Sequence, residues 1–304
     1  MRSALVLVLF AAIGCGTDGS DGPESTLAFT VTSSDFTLQP GQETTKCFYF
    51  HTTNPEQVLV NKWVSDMTPG SHHMIAFSSL GQQPADGTVD NCEGADVPLP
   101  MFGTQVPHEE LVFPDDDGFG KPLVQIVEPN MAAYFQMHYL NTTDEPLQVH
   151  VSLSAYGLPA TVEYTRTDLF ATYNNDIAIP PGATNYKVSA TCDIFDKKFW
   201  QMSSHSHKQS AETKIFDGSN MVLDSTDWEH PKSERWNLPT YYQFQSPSIT
   251  WECTYNNTGD NAGRTVTAGQ SAATNEMCMA TGYYFPAVGP RGCVMDSGSC
   301  QCLL

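Results

Sequence analysis

Residues 149–155 read VHVSLSA. In an extended chain Val149, Val151 and Leu153 fall on one face, and His150 and Ser152 fall on the other. That alternation describes a strand with one buried face and one wet face. Stretches of the same kind recur on both sides of it: TLAFTVTS, KCFYFHT, VLVNKWV and MIAFSS are short and rich in β-branched or aromatic residues. Turn residues punctuate them, as in QPGQ, TPGS, PDDDG, PPGA and NNTGDN. No long amphipathic helix stands out. Short strands with frequent turns predict an all-β protein built from antiparallel sandwiches or barrels.

Length then sets the number of units. The chain has 304 residues. Its first part, MRSALVLVLFAAIGC, carries an apolar run from Ala4 to Ile13. A membrane-spanning helix needs about 20 such residues, so the run reads as the core of an export signal, residues 1–15. Ala12 and Gly14 before Cys15 resemble a bacterial lipobox, with Ala12 where leucine is usual. The expectation is a lipidated Cys15 and an exported protein at the periplasm or cell surface, held to the outer membrane by its lipid anchor alone. Ordinary cleavage and a soluble secreted protein is the alternative. Residues 16–26, GTDGSDGPEST, cannot bury a core and read as a flexible tether. The remaining length is long for one sandwich and suits two. The seam is expected near AYGLPATVEY, residues 155–164, which gives domains at 27–157 and 158–304.

Eight cysteines follow Cys15, at 47, 92, 192, 253, 278, 293, 300 and 302. An even count in an exported chain reads as disulfides, and no CxxC pair suggests a thiolate zinc site. Cys47 and Cys92 are the only two in the first half, so they are candidates to pair. Cys192 has Cys293, Cys300 and Cys302 as possible partners. The formal net charge of −20 excludes nucleic-acid binding, which needs clustered Lys and Arg. No Ser-His-Asp elbow, P-loop or GxGxxG is present.

Four short stretches carry the chemistry. His205 and His207, in SSHSHKQ, are two apart and share a strand face, the spacing of a metal chelate. His72 and His73, in GSHHMIAF, are adjacent. Both reach one point only if the backbone bends, and Pro69-Gly70 just upstream supplies a bend. His138 lies in an apolar run, AAYFQMHYLN, where a charged imidazolium is costly. Met277, in NEMCMATG, has a soft thioether that selects Cu(I) when it serves as a ligand. Taken singly, each stretch has a plain reading as a strand end, a core histidine or core packing. His51, His108, His150 and His230 have no second ligand at chelating spacing.

Taken together and in order, His72-His73-Met74, His138-Tyr139, His205-Ser206-His207 and Glu276-Met277-Cys278 resemble the copper type II, ascorbate-dependent monooxygenases over roughly residues 45–286. The resemblance implies two jelly-roll-like β-sandwiches, each holding one copper. His72, His73 and His138 would bind the first copper, and His205, His207 and Met277 the second, where O2 binds. It implies a copper-dependent enzyme that hydroxylates a C–H bond of a small-molecule substrate, with O2 and an electron donor such as ascorbate. The two coppers would exchange an electron across an open cleft. It also implies a Cys253–Cys278 bridge and allows Gln136, two residues before His138, a place behind the ligands. Ser203, Met279 and Thr281 stand where the family's peptide-hydroxylating members recognise their substrate, so that substrate is not expected. A non-catalytic copper-binding lipoprotein, for storage or sensing, is the alternative reading.

Overall fold

The computed structural model describes residues 24–92, 98–194 and 197–303, and every regular element among them is a strand. The export signal, Cys15 and residues 16–23 of the expected tether lie outside the described residues. The alternation that opens the argument is realised: Val149, Val151, Leu153 and Ala155 are buried, and the residues between them are half-exposed. The run is split at His150 into two strands, Leu147–Val149 and Val151–Leu158.

The first half is a sandwich of two main sheets. One has the order Thr26–Thr32, Val151–Leu158, Val58–Met67, Leu123–Val127 and Thr165–Arg166, with His108–Val112 also paired to Val58–Met67. The other has the order Val89–Asp90, Glu43–His51, Ala132–Leu140, Ser71–Ser79 and Pro98–Thr104. First-half pairing runs through Arg166, because Thr165–Arg166 lies parallel to Leu123–Val127. The second half repeats the plan. Glu234–Arg235, Lys198–Ser206, Cys278–Phe285, Asp168–Asn174, Arg291–Asp296 and Ser299–Leu303 form one sheet. Tyr186–Asp193, Ser248–Tyr255, Ser210–Asp217 and Asn220–Ser225 form the other. Most neighbours run antiparallel. The protein is all-β, made of two jelly-roll-like antiparallel sandwiches.

Disulfides brace both halves: Cys47–Cys92 in the first, and Cys253–Cys278, Cys192–Cys300 and Cys293–Cys302 in the second. The Cys192, Cys300 and Cys302 sulfurs sit together, but each is in a bridge and offers no thiolate to a metal.

One apolar core crosses between the halves. It joins Trp63, Phe102, Phe113 and Phe135 of the first half to Leu169, Trp200, Tyr283 and Phe285 of the second. The strands of the second half's inner sheet are therefore buried on both sides. In Asp168–Asn174, Leu169 and Ala171 face the first half, and Phe170 faces the second half's own core. A bulge at Trp200 reverses the side-chain alternation of its strand: Phe199 pairs with Tyr284, and Gln201 with Tyr283. Beyond that bulge Gln201, Ser203 and His205 line the space between the halves.

Candidate metal centre

The adjacent histidines reach one point through a bulge. His73 pairs with His138 across the ladder and Ser71 pairs with Tyr139, so His72 is the extra residue between them. An extra residue bends the strand and re-aims its side chain. The turn before it is closed by Gly70, at φ +94°, and by the Ser71 amide donating to the Thr68 carbonyl. His72, His73 and His138 each offer a ring nitrogen, all within 4.8 Å of one another. Their ring centres are 5.0–5.3 Å apart.

The second pair lies against this trio. His205 lies 5.2 Å, centre to centre, from His73 of the other half and 5.2 Å from His207. His207 is held by the carboxyl of Glu276, which is fully buried and accepts the amides of His207 and Gln209 at 3.0 and 2.7 Å. Met277 follows Glu276 directly. Its carbonyl accepts the Tyr255 hydroxyl at 2.8 Å, and the bridge from Cys278 to Cys253 anchors the next residue. Met277 lines the same cavity as His73, His205 and Gln136.

The hydrogen bonds set the tautomers. Glu43 Oε1 lies 2.8 Å from His138 Nε2, Gln105 Oε1 lies 2.8 Å from His205 Nδ1, and the Asn275 carbonyl lies 3.2 Å from His207 Nδ1. These oxygens only accept, so each of those ring nitrogens carries the proton, and the other ring nitrogen presents a lone pair. His138 Nδ1 and His207 Nε2, with His72 Nε2 and His73 Nδ1, are buried with no hydrogen-bond partner. A buried polar atom left unpaired costs about 1–3 kcal/mol, so four of them in one cluster require an explanation. Burial pushes His72 and His207 down to about 4, and takes His73 and His205 well below their usual range. Burial also lowers His138, against the pull of Glu43. At neutral pH the imidazoles are uncharged, the form that binds metal. The donor set suits zinc, nickel or copper. Bonds of about 2.0–2.1 Å to one ion bring two donors no further apart than about 4.2 Å, slightly tighter than the limit observed.

Three residues of the centre carried no signal in the sequence. Glu43 accepts from His138 and also from the Ala273 amide of the second half, at 3.3 Å. Gln105 fixes His205 and donates to the Trp228 carbonyl at 3.2 Å. Trp228 stands edge-on to His72 at 5.1 Å. Each is a long-range neighbour whose local sequence is ordinary. The remaining histidines each stand beside an aspartate: His51 with Asp86, His108 with Asp66, His150 with Asp35, and His230, which lines the same cavity as His73, with Asp227.

Fold and site together define a disulfide-braced protein of two sandwiches with a buried five-histidine centre between them. No protein-family model and no curated protein matches the chain. Among solved structures it is similar to the STIV major capsid protein, at 7% identity and a TM-score of 0.38, covering 84% of this chain and 96% of that one. It is similar to the major capsid protein P2 of bacteriophage PM2, at 6% identity and a TM-score of 0.33, covering 84% and 97%. A PBCV-1 virus capsid structure is similar at 8% identity and a TM-score of 0.31, covering 95% and 98%. Likenesses this loose carry no function across.

These findings correct the family expectation. The resemblance to copper type II monooxygenases rests on four short stretches, and it finds no support from any family model or curated protein. The capsid structures named above, at this degree of likeness, supply no enzyme family in its place. The monooxygenase activity, the enzyme class and the alternative of a copper store or sensor go with it. The geometry gives a physical reason as well. Electron exchange across an open cleft needs two separated sites, yet His73 and His205 are ring-to-ring neighbours.

Proposed function

We propose that the five-histidine centre is a structural metal site that ties the two sandwiches together. The observation that carries this reading is the contact of His73 with His205 across the halves, amid four buried ring nitrogens that lack partners. An ion held by His72, His73 and His138 satisfies three of those lone pairs, and the ring contact of His73 with His205 couples it to the second half. Its free energy of binding then counts as stability of the assembled pair. Copper, the cofactor expected from the sequence, is one of the ions this set accommodates, and the Met277 thioether favours it in the cuprous state. Zinc is the other ion that imidazoles hold well. The same reading keeps the protein in an oxidising, exported setting, where its disulfides persist.

Metal analysis of the purified chain tests this directly. We expect bound zinc or copper to survive dialysis and its removal by a chelator to lower the unfolding temperature. His73→Ala and His205→Ala should each abolish that chelator-dependent shift, although they sit in different halves. A chain that retains no ion after reconstitution, or whose unfolding ignores the chelator, sinks the proposal.

A further inference from the structure

Beside the histidine centre a cavity of about 530 Å³ opens between the halves. Aromatic rings make much of its wall. Phe77 stacks on Tyr134 at 5.1 Å, Tyr134 lies 5.4 Å from Tyr49, and Tyr173 and Tyr283 face them from the second half. Ile75, Leu169, Met277 and Met279 contribute apolar surface.

The ionisable side chains that reach the wall from the second half are paired: His230 Nδ1 lies 3.3 Å from Asp227 Oδ2. The one guanidinium on the wall, Arg235, is paired with Glu109 at 2.7 Å. Polar side chains share the wall, among them Gln136, Tyr134 and Tyr173. Among the described residues the Gln136 amide and the Tyr134 and Tyr173 hydroxyls have no hydrogen-bond partner, and all three line the cavity. A pocket of this size, with aromatic walls and polar groups among them, is the usual form of a small-molecule site. Stacked side chains favour a flat ring, by about 0.5–1.5 kcal/mol beyond the area buried.

We propose that this cavity binds an uncharged aromatic molecule whose polar group hydrogen-bonds to the Gln136 amide and the unpartnered tyrosine hydroxyls. The inference does not depend on the metal, because its walls and polar groups are protein alone. A charged ligand is disfavoured, since burying an ion without a partner is costly.

The test uses the full purified chain and 4-methylphenol as the probe, followed by ligand-observed NMR and equilibrium dialysis, with and without chelator. We expect a dissociation constant below about 1 mM, unchanged by chelator. Benzoate and benzylamine, of similar size, should bind at least about tenfold more weakly. Gln136→Leu keeps the volume but removes the amide. It should weaken 4-methylphenol about tenfold while leaving the unfolding temperature in place. Phe77→Leu should weaken every ring-bearing probe. The proposal is overturned if 4-methylphenol does not bind, if either ion binds as well as it does, or if neither variant changes its affinity. Loss of binding on chelation would also overturn it as stated, because the metal would then be the ligand's partner. Metal retention is read in a separate assay, so the failure of one proposal is distinguishable from failure of the other.

Discussion

At the scale of single residues, the centre depends on groups behind the ligands. Glu43 holds the proton side of His138 and so aims Nδ1 inward. Such outer partners typically contribute 10–100-fold to metal affinity. We therefore expect Glu43→Ala to weaken metal binding by about that factor in a chelator competition, with the circular dichroism of the fold unchanged. Unchanged affinity would mean that Glu43 does not orient the ligand. The candidate ligands themselves were legible, because histidine and methionine declare their chemistry in any fold. Glu43, Gln105 and Trp228 were not, because an acid, an amide and an indole acquire a role here only from what lies opposite.

At the scale of the element, the bulge at His72 decides whether two adjacent histidines can serve one site. Pro69-Gly70 made a bend legible, but a bulge is a mismatch between two strands and is invisible in one. Gly70 sets the entry to it. Its φ of +94° excludes side chains at low cost, and an added Cβ would stand 3.1 Å from Leu147 Cδ1. Gly70→Ala should destabilise the protein by about 1–3 kcal/mol and loosen metal binding in parallel. A urea midpoint equal to that of the parent protein would show that the turn absorbs the change. The Trp200 bulge has the same logic. It brings Gln201, Ser203 and His205 to the inner face of their strand, an outcome that strict alternation from Phe199 does not give.

At the scale of the whole molecule, burial of the imidazoles links stability to pH. In the unfolded chain each histidine takes up a proton near its ordinary value of 6.5, and in the folded chain His72 and His207 resist until about 4. His73, His138 and His205 are lowered in the same direction. Between those limits the unfolded state holds more protons, so the stabilising contribution is whole above pH 6.5 and is lost as pH falls toward 4. Glu276 acts in the opposite sense. Burial pushes it up to about 8, so its contribution is present below its ordinary 4.5 and is lost as pH rises through 8. Five histidines outweigh one carboxyl. The chelator-treated protein should lose unfolding temperature steadily from pH 6.5 to pH 4.5, and a flat profile over that window would contradict the neutral, buried cluster.

The sequence by itself determined what is local. Alternation in stretches such as VHVSLSA gave strands and the side each residue buries, because a side-chain period of two depends only on backbone geometry. The even cysteine count gave a bridged protein, and HxH placed two imidazoles on one face. The tertiary structure alone decided where those faces meet. The apolar core spans both halves, and it brings His73 and His205 together where two separate sites were expected. That contact replaces the wide separation on which the enzymatic reading depended, and an aromatic cavity lies beside it. Such contacts join residues more than a hundred positions apart. They arise from how two finished sandwiches pack, and no short stretch of either one encodes them.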